Sequence, residues 1–511
     1  MKSIFFRHLA LAIAAGSLSV LSFAPFYCWW LAPFTLATLF WLWMRAETRW
    51  RAAAYGLGWG LGLFLTGVSW IYVSLHVYGG MPALLAALAT LLFCSYLSLY
   101  PALAGALLHL KKGSPTQPVL LLLVAPALFV ACEWLRGWIL TGFPWLILGY
   151  TQVPDGWLSG YAPLAGAFGL SWLTALVAGV LVWLVAPGLS WRLRAGLLAT
   201  LLVIGVSGML LRQIEWSAPT GQPLTVSLLQ GNVEQHLKWR PDQREAAQAN
   251  YRDLVLQSRA RLIVLPETAL TQFFDEINPA YWGEIKRHAE SLQGDILVGV
   301  PLAHRARGND SDMLAYFNGV ISLGQSPIQE YTKHHLVAFG EFVPPAFSWI
   351  YQWLQIPLAG FTPGSAKQAP MHVAGHRVAV NICYEDTFGA EIARALPEAE
   401  LLVNVSNMAW YGRSLAASQH AQFSQMRALE TSRWMLRATN TGLTAAVNER
   451  GIIVKALPQF TRGKLDVEAI PRQGLTPYAR WGDGPILAIV FFALLTGWWL
   501  GKRKNVLIAN K

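Results

Sequence analysis

Three side chains, spread over little more than a hundred residues, have the types that acyl chemistry needs: a carboxylate at Glu267, an ammonium at Lys333 and a thiol at Cys383. Each stands where a strand-like run stops. Glu267 ends Leu262-Ile-Val-Leu-Pro-Glu267, Lys333 follows Ile328-Gln-Glu-Tyr-Thr332, and Cys383 ends Val378-Ala-Val-Asn-Ile-Cys383. Loops at strand ends are where α/β sheets hold reacting groups. A carboxylate that takes the thiol proton, an ammonium facing thiolate and oxyanion, and the backbone N–H after the nucleophile together suit nucleophilic acyl transfer. Singly, each residue has a plainer reading: a lone Cys is usually inert core, and a lone Glu or Lys is usually solvated surface. The other three cysteines add weight to Cys383, because Cys94 and Cys132 lie inside apolar runs and Cys28 in a short turn. Cys383 is thus the only thiol between residues 212 and 483. An unpaired thiol in an external domain calls for a reason.

The elements that must position these groups lie in that same stretch. Runs rich in β-branched and large apolar residues at 224–229, 262–265, 296–300, 317–322, 378–383, 401–405 and 442–447 predict strands. Helical spacing covers 241–259, 279–292, 387–396 and 416–434. The alternation and length suit one layered α/β domain. Its 25 Lys/Arg balance 25 Asp/Glu.

The rest of the chain is of another kind. Hydrophobic residues make up 54% and charged residues 13%, which is unlike an ordinary soluble domain. Residues 1–211 hold 10 Lys/Arg and 3 Asp/Glu. Seven apolar runs there, near 8–24, 29–44, 54–73, 83–108, 118–139, 163–186 and 195–211, are of membrane-crossing length, and an eighth follows at 484–500. The proposed division is 1–211 with seven spans, 212–483, and 484–511 with the eighth span and a tail. Lys2 and Arg7, Arg45 to Arg51, Lys111 and Lys112, Arg192 and Arg194, and Lys502 to Lys504 fall on alternate loops. Such loops stay in the cytoplasm, so both termini are expected inside and the 212–483 domain outside. Cleaving residues 1–24 as a signal peptide would invert every later loop, so they are read as a retained span. The net +11 sits in the first segment and the tail and does not signal nucleic acid. Glu133 and Arg136, three apart on one predicted helix, are expected to pair near its outer end. With few charges elsewhere in the spans, transport has little support.

Motifs extend the triad in order: Leu265-Pro-Glu267-Thr, then Tyr331-Thr-Lys333-His-His-Leu-Val-Ala-Phe-Gly-Glu341-Phe-Val-Pro344, then Ile382-Cys383-Tyr-Glu385. Val403-Asn-Val-Ser-Asn407, Arg427-Ala-Leu-Glu430 and Arg437-Ala-Thr-Asn440 follow. This order resembles the nitrilase superfamily, and with eight spans the whole chain resembles the bacterial apolipoprotein N-acyltransferase family. The resemblance implies a polytopic helical domain joined to an αββα sandwich on the periplasmic face of the inner membrane. It implies transfer of a fatty acyl chain from a phospholipid, by way of a cysteine thioester, to the α-amino group of the N-terminal diacylglyceryl-cysteine of apolipoproteins. Carried over position by position, Glu267 is the general base, Lys333 the oxyanion-stabilising cation and Cys383 the nucleophile. Glu341 and Glu385 match further acidic positions, Tyr384 adjoins the nucleophile, and Trp239 matches an aromatic of a mobile arm. Trp410 lies in Ser406-Asn-Met-Ala-Trp-Tyr-Gly412, which departs from the family pattern at Met408, where Asp is usual; Ala338 likewise replaces a common Pro.

Residues 342–361 carry no charge and are broken by Pro344, Pro345 and Pro357. Trp349 and Trp353 in this stretch suit an interfacial element that docks the site on the bilayer. No metal or cofactor is expected, since no ligand-spaced cluster or Gly-rich phosphate loop occurs. The expected partners are the phospholipid donor, the apolipoprotein acceptor and the bilayer.

Overall fold

In lipid a backbone must pair its own N–H and C=O groups, so apolar runs fold as helices. The computed structural model describes residues 2–110, 117–305, 314–344 and 360–509. Among these, Lys2–Ser22, Ala83–Leu110, Gln117–Arg136, Ser159–Leu184 and Trp191–Leu211 are long and apolar enough to cross a membrane. Arg49–Gly67 and Ile71–Tyr78 make a sixth only if taken together, since they bend by 56° at their break. Leu31–Arg45 has 15 residues, about 22 Å of helix against a hydrocarbon core of about 30 Å. Gly484–Leu500 is likewise a shorter apolar helix. The eight predicted runs are therefore all helical, but one is broken and two are short.

Two compact units result: Met1–Tyr72 with Pro82–Ile214 and Trp481–Lys511, and Val73–Met81 with Glu215–Arg480. In the first, glycines let helices touch backbone to backbone. A Cβ on Gly16 would stand 1.9 Å from the Trp59 carbonyl oxygen, and one on Gly62 would stand 2.1 Å from that of Ile13. Such contacts are how helices pack where lipid removes the hydrophobic drive. Glu133 and Arg136 secure a loop: the Leu148 N–H donates to Glu133 at 2.8 Å, and Arg136 donates to the Phe143 and Trp145 carbonyls at 2.8 and 2.5 Å. The second unit takes in 73–81 from among the apolar runs, a segment that a boundary at 212 does not anticipate.

The second unit contains fourteen strands among its described residues: β1 Ala218–Pro219, β2 Leu224–Gln230, β3 Leu262–Val264, β4 Asp295–Arg305, β5 Leu314–Gly324, β6 Glu330–Thr332, β7 Met371–Val373, β8 His376–Ile382, β9 Leu401–Ser406, β10 Met435–Thr439, β11 Ala445–Val447, β12 Ile453–Ala456, β13 Gly463–Ala469 and β14 Arg472–Gln473. β1 and β14 form a small ribbon, and the rest form two six-stranded sheets. One runs β13-β2-β3-β4-β5-β6, with β2, β3 and β4 parallel. The other runs β12-β11-β10-β9-β8-β7, with β8, β9 and β10 parallel.

Alternation along the strands sends one face of each sheet into a shared core. Val226, Leu228, Val264 and Val320 of the first sheet meet Val380, Ile382, Val403 and Leu436 of the second. The first sheet's other face packs on Arg244–Leu256 and Pro279–Ser291 through Tyr251, Leu254, Trp282 and Ile285. The second sheet's other face meets the helix Ala416–Thr431 through Ala428. The result is the four-layered αββα order.

Two predicted elements change. The helix predicted over 416–434 stops at Thr431, because Ser432 adopts φ +52°, and the chain resumes at once as β10. The helix predicted over 387–396 reduces to Gly389–Ile392 and a 3₁₀ turn, Ala393–Ala395. Trp349 and Trp353 lie outside the described residues. The segment's flanks are tied down by Gly360 and Phe361, whose N–H groups both donate to the Glu341 carbonyl at 3.1 Å.

Candidate active site

The parallel strands β3, β8 and β9 deliver Glu267, Cys383 and Asn407 at their carboxyl ends, and β6 delivers Lys333 directly after Thr332. Lys333, 1% exposed, lies between two carboxylates. Its Nζ is 3.4 Å from Glu267 Oε1 and 2.9 and 2.8 Å from the two Glu341 oxygens. Asn318 on β5 bridges the same carboxylates, donating to Glu267 Oε1 and Glu341 Oε1 at 2.8 Å each. The Asn407 N–H donates to Glu267 Oε2 at 2.8 Å, so both oxygens of Glu267 are engaged. The Val337 N–H anchors Glu341 in turn at 2.8 Å.

Cys383 opens a 3₁₀ turn, Cys383–Thr387, at φ +53°, a left-handed conformation that a side-chain-bearing residue keeps only when its surroundings enforce it. Two sets of contacts enforce it here. The Glu385 carboxylate accepts from Ile382 N at 2.7 Å, His334 N at 2.7 Å, His335 N at 3.1 Å and the Tyr331 hydroxyl at 2.9 Å. That one carboxylate joins the cysteine turn to the lysine loop. From beneath, the Cys383 carbonyl accepts from Asn404 Nδ2 and His420 Nε2, each at 3.1 Å.

The partners of His420 settle its tautomer. Arg437 Nη2 lies 2.8 Å from His420 Nδ1, and a guanidinium only donates, so Nδ1 accepts and Nε2 carries the hydrogen. That hydrogen faces Asp386 Oδ1 at 2.7 Å as well as the Cys383 carbonyl. Arg437 also donates to Asp386 Oδ2 at 3.2 Å and Asn404 Oδ1 at 2.7 Å, and Ser424 donates to Asp386 Oδ2 at 2.6 Å. All five side chains are buried.

The other predicted residues fall around this centre. Tyr384 is buried, its ring edge-on to Phe388 at 5.3 Å. Trp239 is half-buried. The preceding residue, Lys238, turns inward and donates to the Glu267 carbonyl at 3.1 Å and Thr268 Oγ1 at 2.9 Å. Trp410 is half-buried and edge-on to Tyr78, the ring centroids 6.4 Å apart. Met408 is buried with its sulfur 3.0 Å from His420 Nδ1.

Electrostatics define the resting state. Burial, with Glu267 beside it, pushes the Cys383 thiol up to about 12, against the opposing pull of Lys333. Burial alone would raise the Glu267 carboxyl, but Lys333, Lys238, Asn318 and the Asn407 N–H outweigh it and hold it below its ordinary value. Burial likewise opposes the charge on Lys333, yet Glu341, Glu267 and Cys383 raise it well above the usual ammonium range. These opposite shifts favour a neutral thiol beside an ionised carboxylate at neutral pH. Among the described residues no three His, Cys, Asp or Glu are grouped to hold a metal ion.

Sequence reasoning misses Asn318, Lys238 and His420. Asn318 reads only as part of a strand run, and a charge such as Lys238 is assigned to solvent by default.

Residues 15–180 match the family model described as apolipoprotein N-acyltransferase N-terminal domain, and residues 222–480 match carbon-nitrogen hydrolase. The chain is 45% identical over 509 residues to apolipoprotein N-acyltransferase of Nitrosomonas europaea, covering 98% of this chain and 99% of that one. It is 44% identical over 493 residues to that of Chromobacterium violaceum, covering 95% and 93%. Among solved structures, a carbon-nitrogen hydrolase from Helicobacter pylori aligns over 48% of this chain and 89% of its own, at 16% identity and a TM-score of 0.35.

Proposed function

Because the chain belongs to the apolipoprotein N-acyltransferase family, we propose that its acyl transfer in lipoprotein maturation runs through a thioester on Cys383. The protein is a bacterial membrane acyltransferase, with apolar helices in its first half and a nitrilase-like α/β domain after them. The donor in this reading is a membrane phospholipid. The acceptor is the α-amino group of the diacylglyceryl-cysteine that begins an apolipoprotein.

Glu267 takes the thiol proton while Sγ forms a bond to the donor's ester carbonyl carbon. The charge that develops on the carbonyl oxygen is met by Lys333 and by the backbone N–H of Tyr384. Collapse breaks the ester C–O bond, and Glu267 returns its proton to the departing lysophospholipid oxygen. The acceptor amine then attacks the thioester, loses its proton to Glu267, and the C–S bond breaks to restore the thiol. Glu341 holds Lys333, while Glu385 holds the turn and the lysine loop. Trp239 and Trp410, with Trp349 and Trp353, serve the lipid and peptide chains, and Tyr384 packs beside the nucleophile.

The alternating Lys and Arg loops support a periplasmic 212–483 domain between two cytoplasmic termini. The observation that carries the chemical reading is the burial of Lys333 in contact with both Glu267 and Glu341. These groups meet at the carboxyl ends of the strands and act on the Cys383 thiol, the setting in which perturbed ionisable groups mark a functional site.

The test is the mass of the Cys383 peptide after the purified protein meets phospholipid vesicles. The expected result is one fatty acyl group added at Cys383 and removed by a diacylglyceryl peptide amine. Turnover with no adduct, or an adduct elsewhere, overturns the route.

A further inference from the structure

Lys238 has no place in the steps above, yet it is 5% exposed and directed at the residue that carries the base. It ends the short helical turn Gln235–Lys238. One ammonium donates to two consecutive residues, the Glu267 carbonyl at 3.1 Å and Thr268 Oγ1 at 2.9 Å. Thr268 sits at φ +42°, where a β-branched residue is strained and persists only if something holds it.

Other contacts converge on the same turn. Asn407, whose N–H holds Glu267 Oε2, donates from its side chain to Gln235 Oε1 at 2.8 Å. Asn440 donates to Asn407 Oδ1 at 3.0 Å and clasps Val233 at both N and O, at 2.9 and 2.7 Å. The segment 233–238 is thus stitched to both the backbone and the carboxylate of the base.

An uncharged side chain would fill this space at less solvation cost. The ammonium differs from such a side chain in its charge: Glu267 and Glu341 bring two negative charges, and Lys333 and Lys238 together match them. We propose that Lys238 is a positioning residue that locks the strained Glu267–Thr268 turn and, by its charge, keeps Glu267 ionised to receive the Cys383 proton. The proposal rests on the thioester reading. Burial draws the Lys238 ammonium down to about 8, with Glu267 and Cys383 as the charged partners that oppose this.

The experiment measures the rate of acyl-adduct formation on Cys383 against pH, with the full chain in phospholipid vesicles. Lys238→Met is expected to slow it roughly 10²-fold at neutral pH, as displacement of a catalytic group does. It is also expected to move the acid limb, set by Glu267, to higher pH, with Lys238→Arg restoring the limb. Lys238→Gln keeps a donor for the carbonyl without the charge, so it must show the same shift and decides the matter if the Met variant does not fold. A slower rate with the limb at its wild-type pH in both neutral variants makes Lys238 a packing residue and overturns the proposal, as does an unchanged rate. Failure of the thioester reading is seen separately, as absence of the adduct in wild type.

Discussion

The two sheets that face each other in the α/β unit both carry buried charge near Cys383, but their hydrogen bonds end on different atoms. The first sheet supplies Glu267, Lys333, Glu341 and Asn318, whose side-chain atoms contact one another and whose charges act on the thiol. The second sheet, with the turn after β8 and the helix Ala416–Thr431, supplies Arg437, Asn404, Asp386, His420 and Ser424, a network whose hydrogen bonds end on the cysteine's carbonyl oxygen. We take the atom at which each network's hydrogen bonds end, and not the number of buried charges, to divide the proposed chemistry from the scaffold.

The sharpest break of this comparison is Cys383→Ser. It should lower acyl transfer by at least about 10⁴-fold, because the loss of a nucleophile removes the covalent route entirely, while melting stays near wild type. Wild-type transfer by this variant ends the distinction. Next is Arg437→Met, which leaves the buried Asp386 charge without its guanidinium. A loss of about 3–5 kcal/mol of stability is expected, seen as a lower melting temperature, with the folded fraction still alkylated at Cys383. Should Arg437→Met instead melt normally and lose acyl transfer, the second sheet would be part of the chemistry.

Lys333→Met comes third. Removing the oxyanion's charge partner should reduce acyl transfer by about 10²–10³-fold, or about 2.7–4 kcal/mol. The smallest effect concerns pH. With its thiol raised to about 12, Cys383 should react with iodoacetamide at a rate that keeps climbing beyond the ordinary thiol value of about 8.5. The sign for stability follows from the same shift. Above the unfolded thiol's value the unfolded chain gives up a proton that the folded chain keeps, so stability falls as pH rises from there toward the folded value. Cys383→Ala should lack that alkaline decline. A reaction rate that levels off near 8.5 would mean an unperturbed thiol, and one already level below neutral pH a preformed thiolate; either result goes against the raised thiol described here.

Much of this was legible beforehand where two signals coincide. Glu267, Lys333 and Cys383 each combine a reactive side chain with the end of a strand-like run, and the central parallel strands are continuously apolar. Legibility fails where a residue's surroundings come from distant chain. Asn318 lies inside a run whose period says only strand, and its two carboxylate partners are 51 and 23 residues away. Lys238 looks like surface charge next to Trp239, and only the fold turns it inward. The edge strands β12 and β13 are mostly exposed or half-buried, so they lack the apolar run that marks a buried strand. β10 was hidden by helical spacing that runs on past Thr431, because one left-handed residue, Ser432, suffices to end a helix.

Glu385 ties the two halves of the site together. Its carboxylate gathers Ile382 N from one sheet and Tyr331, His334 N and His335 N from the other, so the cysteine turn and the lysine loop hang on one shared anchor, and whatever disturbs that carboxylate unfastens both at once.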